Sequence, residues 1–69
     1  MKIIKSVDSF GGMFFYIAYR EDEKLAKIYY NEFWKEYALI YEHIDLTDDE
    51  EKEILEFRDK LNEELNQGD

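Results

Sequence analysis

The sequence predicts an α+β fold of the order ββαα: an N-terminal β-hairpin over residues 2–20, a long helix over 22–44 and an acidic helix over 48–65 that packs antiparallel to it. Three observations favour this fold. Two short runs of β-branched and aromatic residues flank a Gly-Gly pair, polar residues then recur at helical spacing, and a capping signature opens the last segment. A chain of 69 residues forms a single small domain.

The hairpin is predicted from residues 2–7 and 13–20, which read KIIKSV and MFFYIAYR. A loop with Gly11 and Gly12 separates them, as is typical of antiparallel strands. Side chains of the second strand alternate between two sets, Phe14, Tyr16 and Ala18 on one side and Phe15, Ile17 and Tyr19 on the other. Both sets are apolar, so both faces of this strand need a covering element or a partner.

The stretch 22–44 is predicted to be an amphipathic helix. Its polar side chains recur at steps of three, four, four and seven, at Lys24, Lys27, Asn31, Lys35 and Glu42. A helix brings such positions onto one face, whereas a strand scatters them. Apolar residues fill an arc of about 140° on the same helical wheel. An alternative begins this helix near Met13, but the aromatic and β-branched residues before Arg20 favour a strand there.

A capping signature predicts the start of the acidic helix. In Thr47-Asp48-Asp49-Glu50, the threonine hydroxyl and the Glu50 carboxylate can each accept a hydrogen bond from a main-chain N–H group at the helix start. The apolar stripe that follows is narrow and consists of Ile54, Phe57, Leu61 and Leu65. We therefore expect this helix to pack by one side only.

Negative charge is concentrated in the tail of the chain. The formal net charge is −9, and residues 45–69 alone carry −8. Such a chain repels nucleic acid phosphates and anionic membrane surfaces, whose binding requires cations. Its field attracts basic proteins. A basic partner, without direct nucleic acid or membrane binding, is therefore expected.

The candidate partner-binding residues are acidic side chains of the last helix together with two aromatic residues. The acidic residues recur at helical steps, which places carboxylates about 5 to 6 Å apart, and they are Asp48, Asp49, Glu53, Glu56, Asp59 and Glu63. Trp34 and Tyr41 lie at the rim of the apolar arc, and aromatic residues often carry binding affinity. The alternative is a solvated helix face with ordinary pairs, Asp48 with Lys52 and Glu56 with Lys60.

A second apolar patch suggests contact with another chain. Leu25, Ile28 and Leu39 fall outside the arc of the long helix, so a homodimer through these residues is a further possibility. Oligomer or complex formation is also expected on general grounds. A chain this short with no Cys and one His has neither disulfides nor a structural metal to stabilise it.

No catalytic, cofactor or metal site is predicted. His43 stands alone, and the serines have no adjacent base. Residues 45–56 carry oxygen ligands at the spacing of a calcium loop, but Glu50 stands where the sharp turn requires glycine. Gly11 and Gly12 lack the other parts of a phosphate-binding loop. Without Cys, signal peptide or membrane span, the chain is expected to be cytoplasmic.

The expected function is that of a small, acidic, non-enzymatic protein that inhibits or regulates a basic partner. A rigid row of carboxylates can occupy the lysine and arginine side chains that otherwise bind phosphates, so the partner is expected to bind nucleic acid. In size and composition the chain resembles phage-encoded inhibitors of host defence, which include anti-CRISPR proteins and DNA mimics. Alternatives are a homo-oligomeric assembly module and an antidote or immunity protein for a basic toxin.

Overall fold

The structure is a computed structural model that describes residues 1–7 and 14–67, and among these residues it contains four strands and one helix. The elements are β1 (Lys2–Val7), β2 (Phe14–Arg20), β3 (Glu23–Asn31), β4 (Glu36–Tyr41) and α1 (Asp48–Gln67). The strands form an antiparallel sheet in the order β1-β2-β3-β4. An α+β fold is thus present, but the predicted order ββαα is wrong.

Two of the predicted elements are confirmed. β1 and β2 pair as the expected hairpin, with Ile4 opposite Ile17, and α1 covers the predicted acidic helix with two further residues at its end. The turn predicted at Gly11 and Gly12 lies outside the described residues. No helix within those residues is long and apolar enough to cross a membrane.

The helix predicted over 22–44 is wrong, because this stretch forms β3, a turn and β4. A β-bulge explains part of its misleading spacing. Ala18 pairs with Ala26 while Tyr19 pairs with Lys24, so Leu25 is an extra residue in β3. An inserted residue lets positions three apart face the same side of a sheet. Lys24 and Lys27, which are consecutive members of the polar series, therefore lie on the same face of the sheet although the segment is not helical.

A tight turn accounts for the step from Asn31 to Lys35. The Asn31 side-chain oxygen accepts hydrogen bonds from the N–H groups of Phe33 at 2.9 Å and Trp34 at 3.2 Å. Lys35 then adopts a positive φ of 56°, which lets β4 return beside β3. Asparagine often begins turns by bonding the following main chain in this way. The polar residues at 31 and 35 thus mark the two ends of a turn.

α1 packs over β4 and the central strands on one face of the sheet and closes the core, while Val7 and Phe14 on the same face stay exposed. Among the residues that the structure describes, five are fully buried, namely Ala18, Leu25, Ala26, Ile28 and Ile54. Ile54 comes from the helix and the other four from the two central strands. Because Leu25 and Ile28 are enclosed here and Leu39 packs against them, these residues are not a surface for a second copy.

An aromatic cluster and one amide hold the middle and end of the helix. The Phe57 ring meets Tyr16 edge-on at 5.0 Å between centroids, and Tyr37 meets Tyr30 in the same manner at 5.6 Å. Asn62 accepts a hydrogen bond from the Tyr37 N–H at 2.6 Å, and its own side-chain N–H donates to the Tyr37 carbonyl at 3.4 Å. Asn62 therefore takes the place of a neighbouring strand at the outer edge of β4.

The start of α1 is fixed by the predicted capping box, which is confirmed. The Thr47 N–H donates to Glu50 Oε1 at 2.9 Å, and the Glu50 N–H donates to Thr47 Oγ1 at 3.2 Å. Arg20 Nε donates to Glu50 Oε2 at 2.7 Å, and its Nη2 donates to Glu50 Oε1 and to the Asp45 carbonyl. The hydrogen bond from Arg20 and, to a smaller extent, the one from the Thr47 N–H lower the pKa of Glu50 to about 2. This carboxylate thereby joins the helix start to the end of β2.

Candidate functional site

The exposed side of α1 is the most highly charged surface of the described residues. Eight carboxylate residues of the helix are exposed: Asp48, Asp49, Glu51, Glu53, Glu56, Asp59, Glu63 and Glu64. The ninth, Glu50, is turned to Arg20 and is only 14% exposed. Lys52 and Lys60 are the exposed cations of the helix. Seen from solvent, α1 is therefore strongly anionic.

The predicted row of carboxylates is present but interrupted. At about 100° per residue, Asp49, Glu53, Glu56 and Glu63 share one flank of α1, about 100° to 180° away from Ile54. Lys60 falls in the gap between Glu56 and Glu63 on that side. The row is densest over its first two turns, and we call residues 48–59 the acidic segment of α1.

The lysines of the helix do not neutralise the acidic segment by close pairing. Neither Asp48 with Lys52 nor Glu56 with Lys60 approaches within 4.0 Å, and the ion pair within α1 joins Arg58 Nη2 to Asp59 Oδ1 at 2.9 Å. Both partners of that pair are substantially exposed, so it contributes little to stability. Most carboxylates of the segment are thus available to cations from outside.

A shallow depression of about 270 Å³ lies within the acidic segment. Its lining is Asp48, Glu51, Lys52, Leu55, Glu56 and Asp59. Leu55 is half-buried and is the apolar member of the lining, with four carboxylates and one ammonium group around it. Lysine and arginine have aliphatic stems and charged heads, which suit an apolar patch with an anionic rim. The depression therefore combines one apolar side chain with a mainly anionic rim.

The two predicted aromatic residues lie in different places. Tyr41 is near the acidic segment: burial raises the pKa of its hydroxyl, Glu51 raises it further and Arg58 lowers it. Trp34 is 66% exposed in the turn between β3 and β4. That turn lies toward Asn62 and the end of α1, because Asn62 bonds the first residues of β4. Tyr41 can therefore share a partner with the acidic segment, whereas Trp34 is remote from it.

Glu51 and Leu55 belong to this site and were absent from the predicted set. A signal for Leu55 does exist in the sequence. It is an apolar residue about 100° away from Ile54, outside the narrow stripe that packs on the sheet. Glu51 is one of four consecutive acidic residues, so its spacing alone does not single it out.

The described part of the fold assembles no cluster of metal ligands. Those residues contain no group of three or more His, Cys, Asp and Glu side chains placed to hold a metal ion. The residues that have the spacing of calcium ligands in the sequence instead form the capping box and the first turns of α1. What this surface presents is a concentration of exposed carboxylates.

Comparisons with known proteins assign no family. No protein-family model, no curated protein and no solved structure matches this chain.

Proposed function

We propose that the protein is a non-enzymatic binding protein that docks the acidic segment of α1 on a basic surface of another protein and thereby inhibits or regulates it. The observation that carries this proposal is the exposure of eight carboxylates on one helix that is anchored to the rest of the fold at its start through Glu50 and farther along through Asn62. A charged surface held in a fixed geometry loses little conformational entropy on binding. Flexible acidic tails lack that advantage.

The partner we propose is itself a nucleic-acid-binding protein. Proteins that bind nucleic acid present rows of lysine and arginine to phosphates. Carboxylates on successive turns of one helix face are spaced by about 5 to 6 Å, so several can meet such a row at once. Occupation of those cations by the acidic segment excludes the nucleic acid, and this is the inhibitory step.

The depression around Leu55 gives this contact an anchor. A lysine or arginine from the partner can lay its stem on Leu55 and reach Glu51 or Asp59 with its charged end. Charged residues in a rim position mainly accelerate association, whereas a side chain seated in a pocket slows dissociation. We therefore expect Leu55 to matter more for complex lifetime than any single carboxylate.

The experiment is affinity capture from cell lysate with three immobilised baits. The first is the wild-type protein, and the second carries Asp49→Lys, Glu53→Lys and Glu56→Lys. The third reverses three exposed carboxylates outside the helix, Glu21, Asp22 and Glu32, and so has the same net charge as the second. We expect basic proteins to bind the first and third baits, to be absent from the second, and to elute as salt is raised.

The third bait distinguishes an effect of where the negative charges lie from an effect of the net charge. Equal loss of capture on both variants means that net charge alone attracts the partner, which contradicts a docking surface on α1. Capture that survives on the second bait also refutes the proposal. The captured protein must bind nucleic acid, and the wild-type protein must compete for that binding. A basic toxin among the captured proteins would instead identify an antidote.

A further inference from the structure

The face of the sheet opposite α1 is not covered by any element of the described chain. Strand alternation places on this face the residues that do not point to the helix, and its centre consists of Ile4, Phe15, Ile17, Lys27, Tyr29 and Ile40. We call this set the open sheet face. It is mainly apolar and holds three isoleucines and two aromatic rings. A contiguous apolar surface of this kind marks an interaction site.

The open sheet face is organised in two rows across the strands. In the first row, Ile4 lies opposite Ile17, Ile17 opposite Lys27, and Lys27 opposite Ile40. In the second row, Phe15 lies opposite Tyr29 at its centre. The Lys27 ammonium is drawn over the Phe15 ring, 4.7 Å from its centroid, so the lysine stem lies along the sheet. The single charge at the centre therefore does not prevent flat contact.

We propose that a second copy of this chain covers the open sheet face with its own open sheet face. The resulting dimer is a four-layered structure with the two sheets in the middle and a helix on each outer side. This inference rests on the sheet alone and does not depend on the function proposed for α1. It also leaves the acidic segment of each copy exposed, on opposite sides of the dimer.

The face is complementary to itself when the two-fold axis runs parallel to the strands and passes between β2 and β3. β1 of one copy then lies over β4 of the other, and β2 over β3, with the sheets aligned as in sandwiches. Ile4 meets Ile40 of the second copy, and Phe15 meets Tyr29 of the second copy. Lys27 faces Ile17 rather than another lysine. Like charges therefore do not meet across this interface.

One pair of opposite charges makes the two copies complementary outside the apolar rows as well. Strand pairing continues past β4, since the Glu42 N–H donates to the Leu25 carbonyl at 2.9 Å. Alternation puts Glu42 on the same side of the strand as Ile40, and Lys2 on the same side as Ile4. In the aligned dimer, Lys2 at the edge of one sheet comes close to Glu42 of the second copy. This pair occurs twice in a symmetric dimer.

Contact through the sheet edges is less favourable than contact through the face. β1 carries Lys2 and Lys5, and lysine on an edge strand opposes strand pairing between molecules. At the other edge, Asn62 already occupies the main-chain groups of Tyr37. A second copy therefore finds a matching surface on the open face rather than a free edge.

The size of the face sets the expected affinity. Four strands spaced by about 4.8 Å and about six residues long give a footprint of roughly 400 Å² per copy. Stable complexes bury about 800 Å² per partner. The dimer should therefore be weak enough for its dissociation to be measured directly. Burial of this face also adds apolar contacts to the five residues that are fully buried in the described part of each chain.

The test is sedimentation equilibrium of the full chain at concentrations from about 1 to 200 µM, a range that suits an interface of small area. We expect the average mass to rise toward twice the 8.5 kDa of one chain. Ile40→Lys should raise the dimer dissociation constant at least about tenfold, because each dimer would lose two contacts of Ile40 with Ile4 and place an ammonium group at each of them, with no aromatic ring to accept it. Leu65→Lys is the matched control, since Leu65 is 41% exposed on α1 and Ile40 is 48% exposed on the open face.

A charge exchange tests the orientation of the two copies and does not disturb the apolar rows. Lys2→Glu and Glu42→Lys should each weaken the dimer. The double variant should have the dissociation constant of the wild-type dimer again. A wild-type protein that stays at the mass of one chain throughout the range overturns the proposal. So does a dimer that survives Ile40→Lys with an unchanged dissociation constant. Circular dichroism verifies that each variant is folded, and if Ile40→Lys is not, the charge exchange decides.

Discussion

Replacement of Ile54 by alanine should strongly destabilise the protein, because this side chain joins α1 to the sheet. Ile54 is 0% exposed and is the one helix residue among the five that are fully buried. Removal of a buried isoleucine to alanine costs about 2 to 5 kcal/mol, through lost burial and the cavity that remains. A domain of this size has a total stability of about 3 to 10 kcal/mol. The substitution should therefore remove a large fraction of that stability.

The assay is urea and thermal unfolding followed by circular dichroism. At about 4 to 8 °C per kcal/mol for small domains, a loss of about 3 kcal/mol lowers Tm by about 12 to 24 °C. Ile54→Val should cost only about 0.5 to 1.5 kcal/mol, which keeps the series measurable if the alanine variant is unfolded. Leu65→Ala is the control, since Leu65 is half-exposed. Equal effects at positions 54 and 65 would refute the packing of α1 through Ile54.

Three further predictions concern local contacts. Lys35→Gly should raise the free energy of unfolding by about 1 kcal/mol, since Lys35 holds a φ of 56° that glycine adopts freely; Glu32→Gly in the same turn is the control and should not stabilise. The pKa of Glu50 is about 2 in the fold against an ordinary 4.5, so the stability that its carboxylate contributes is present above pH 4.5 and is lost as the pH falls toward 2. Glu50→Gln should therefore make Tm depend less on pH between these values. An unchanged dependence of Tm on pH would contradict the role of this carboxylate. Asn62→Ala should cost about 1 kcal/mol by leaving the main chain of Tyr37 unpaired and should increase aggregation through β4; a variant as stable and as monodisperse as wild type would show that the amide does not protect this edge.

The sequence allowed prediction of the elements whose signals are local. The capping box at Thr47 and Glu50 predicted where α1 begins, because the side chains that form it are three residues apart. The two strands of the first hairpin were predicted from aromatic and β-branched runs. Each of these signals depends on neighbours in the chain rather than on the tertiary structure.

The middle of the chain was mispredicted because two irregular features imitated a helical period. The bulge at Leu25 set Lys24 and Lys27 three residues apart on one face, and the turn after Asn31 added a step of four. The competing signal was the run Ile28-Tyr29-Tyr30, which favours a strand by intrinsic preference. The prediction gave more weight to the spacing of polar residues than to the strand preference of the residue types, and the structure follows the strand preference.

The two surfaces proposed for binding were only partly predictable, because each depends on the tertiary structure. The acidic residues of α1 could be found from composition, but the depression around Leu55 depends on how the helix is rotated on the sheet. The open sheet face was foreseen for β2 alone, where both sides of the strand are apolar. Its isoleucines from β1 and β4 come together only through the register of the sheet.

The most direct test of the account is to locate the surface that meets the partner. Amide chemical shifts of nitrogen-labelled protein can be followed as the captured basic protein is added. We predict that the largest changes fall on residues 48–59 and Tyr41, and that they disappear in the variant with Asp49, Glu53 and Glu56 reversed. Changes confined to the open sheet face or to the turn at Trp34, with α1 unaffected, would contradict a docking role for the acidic segment.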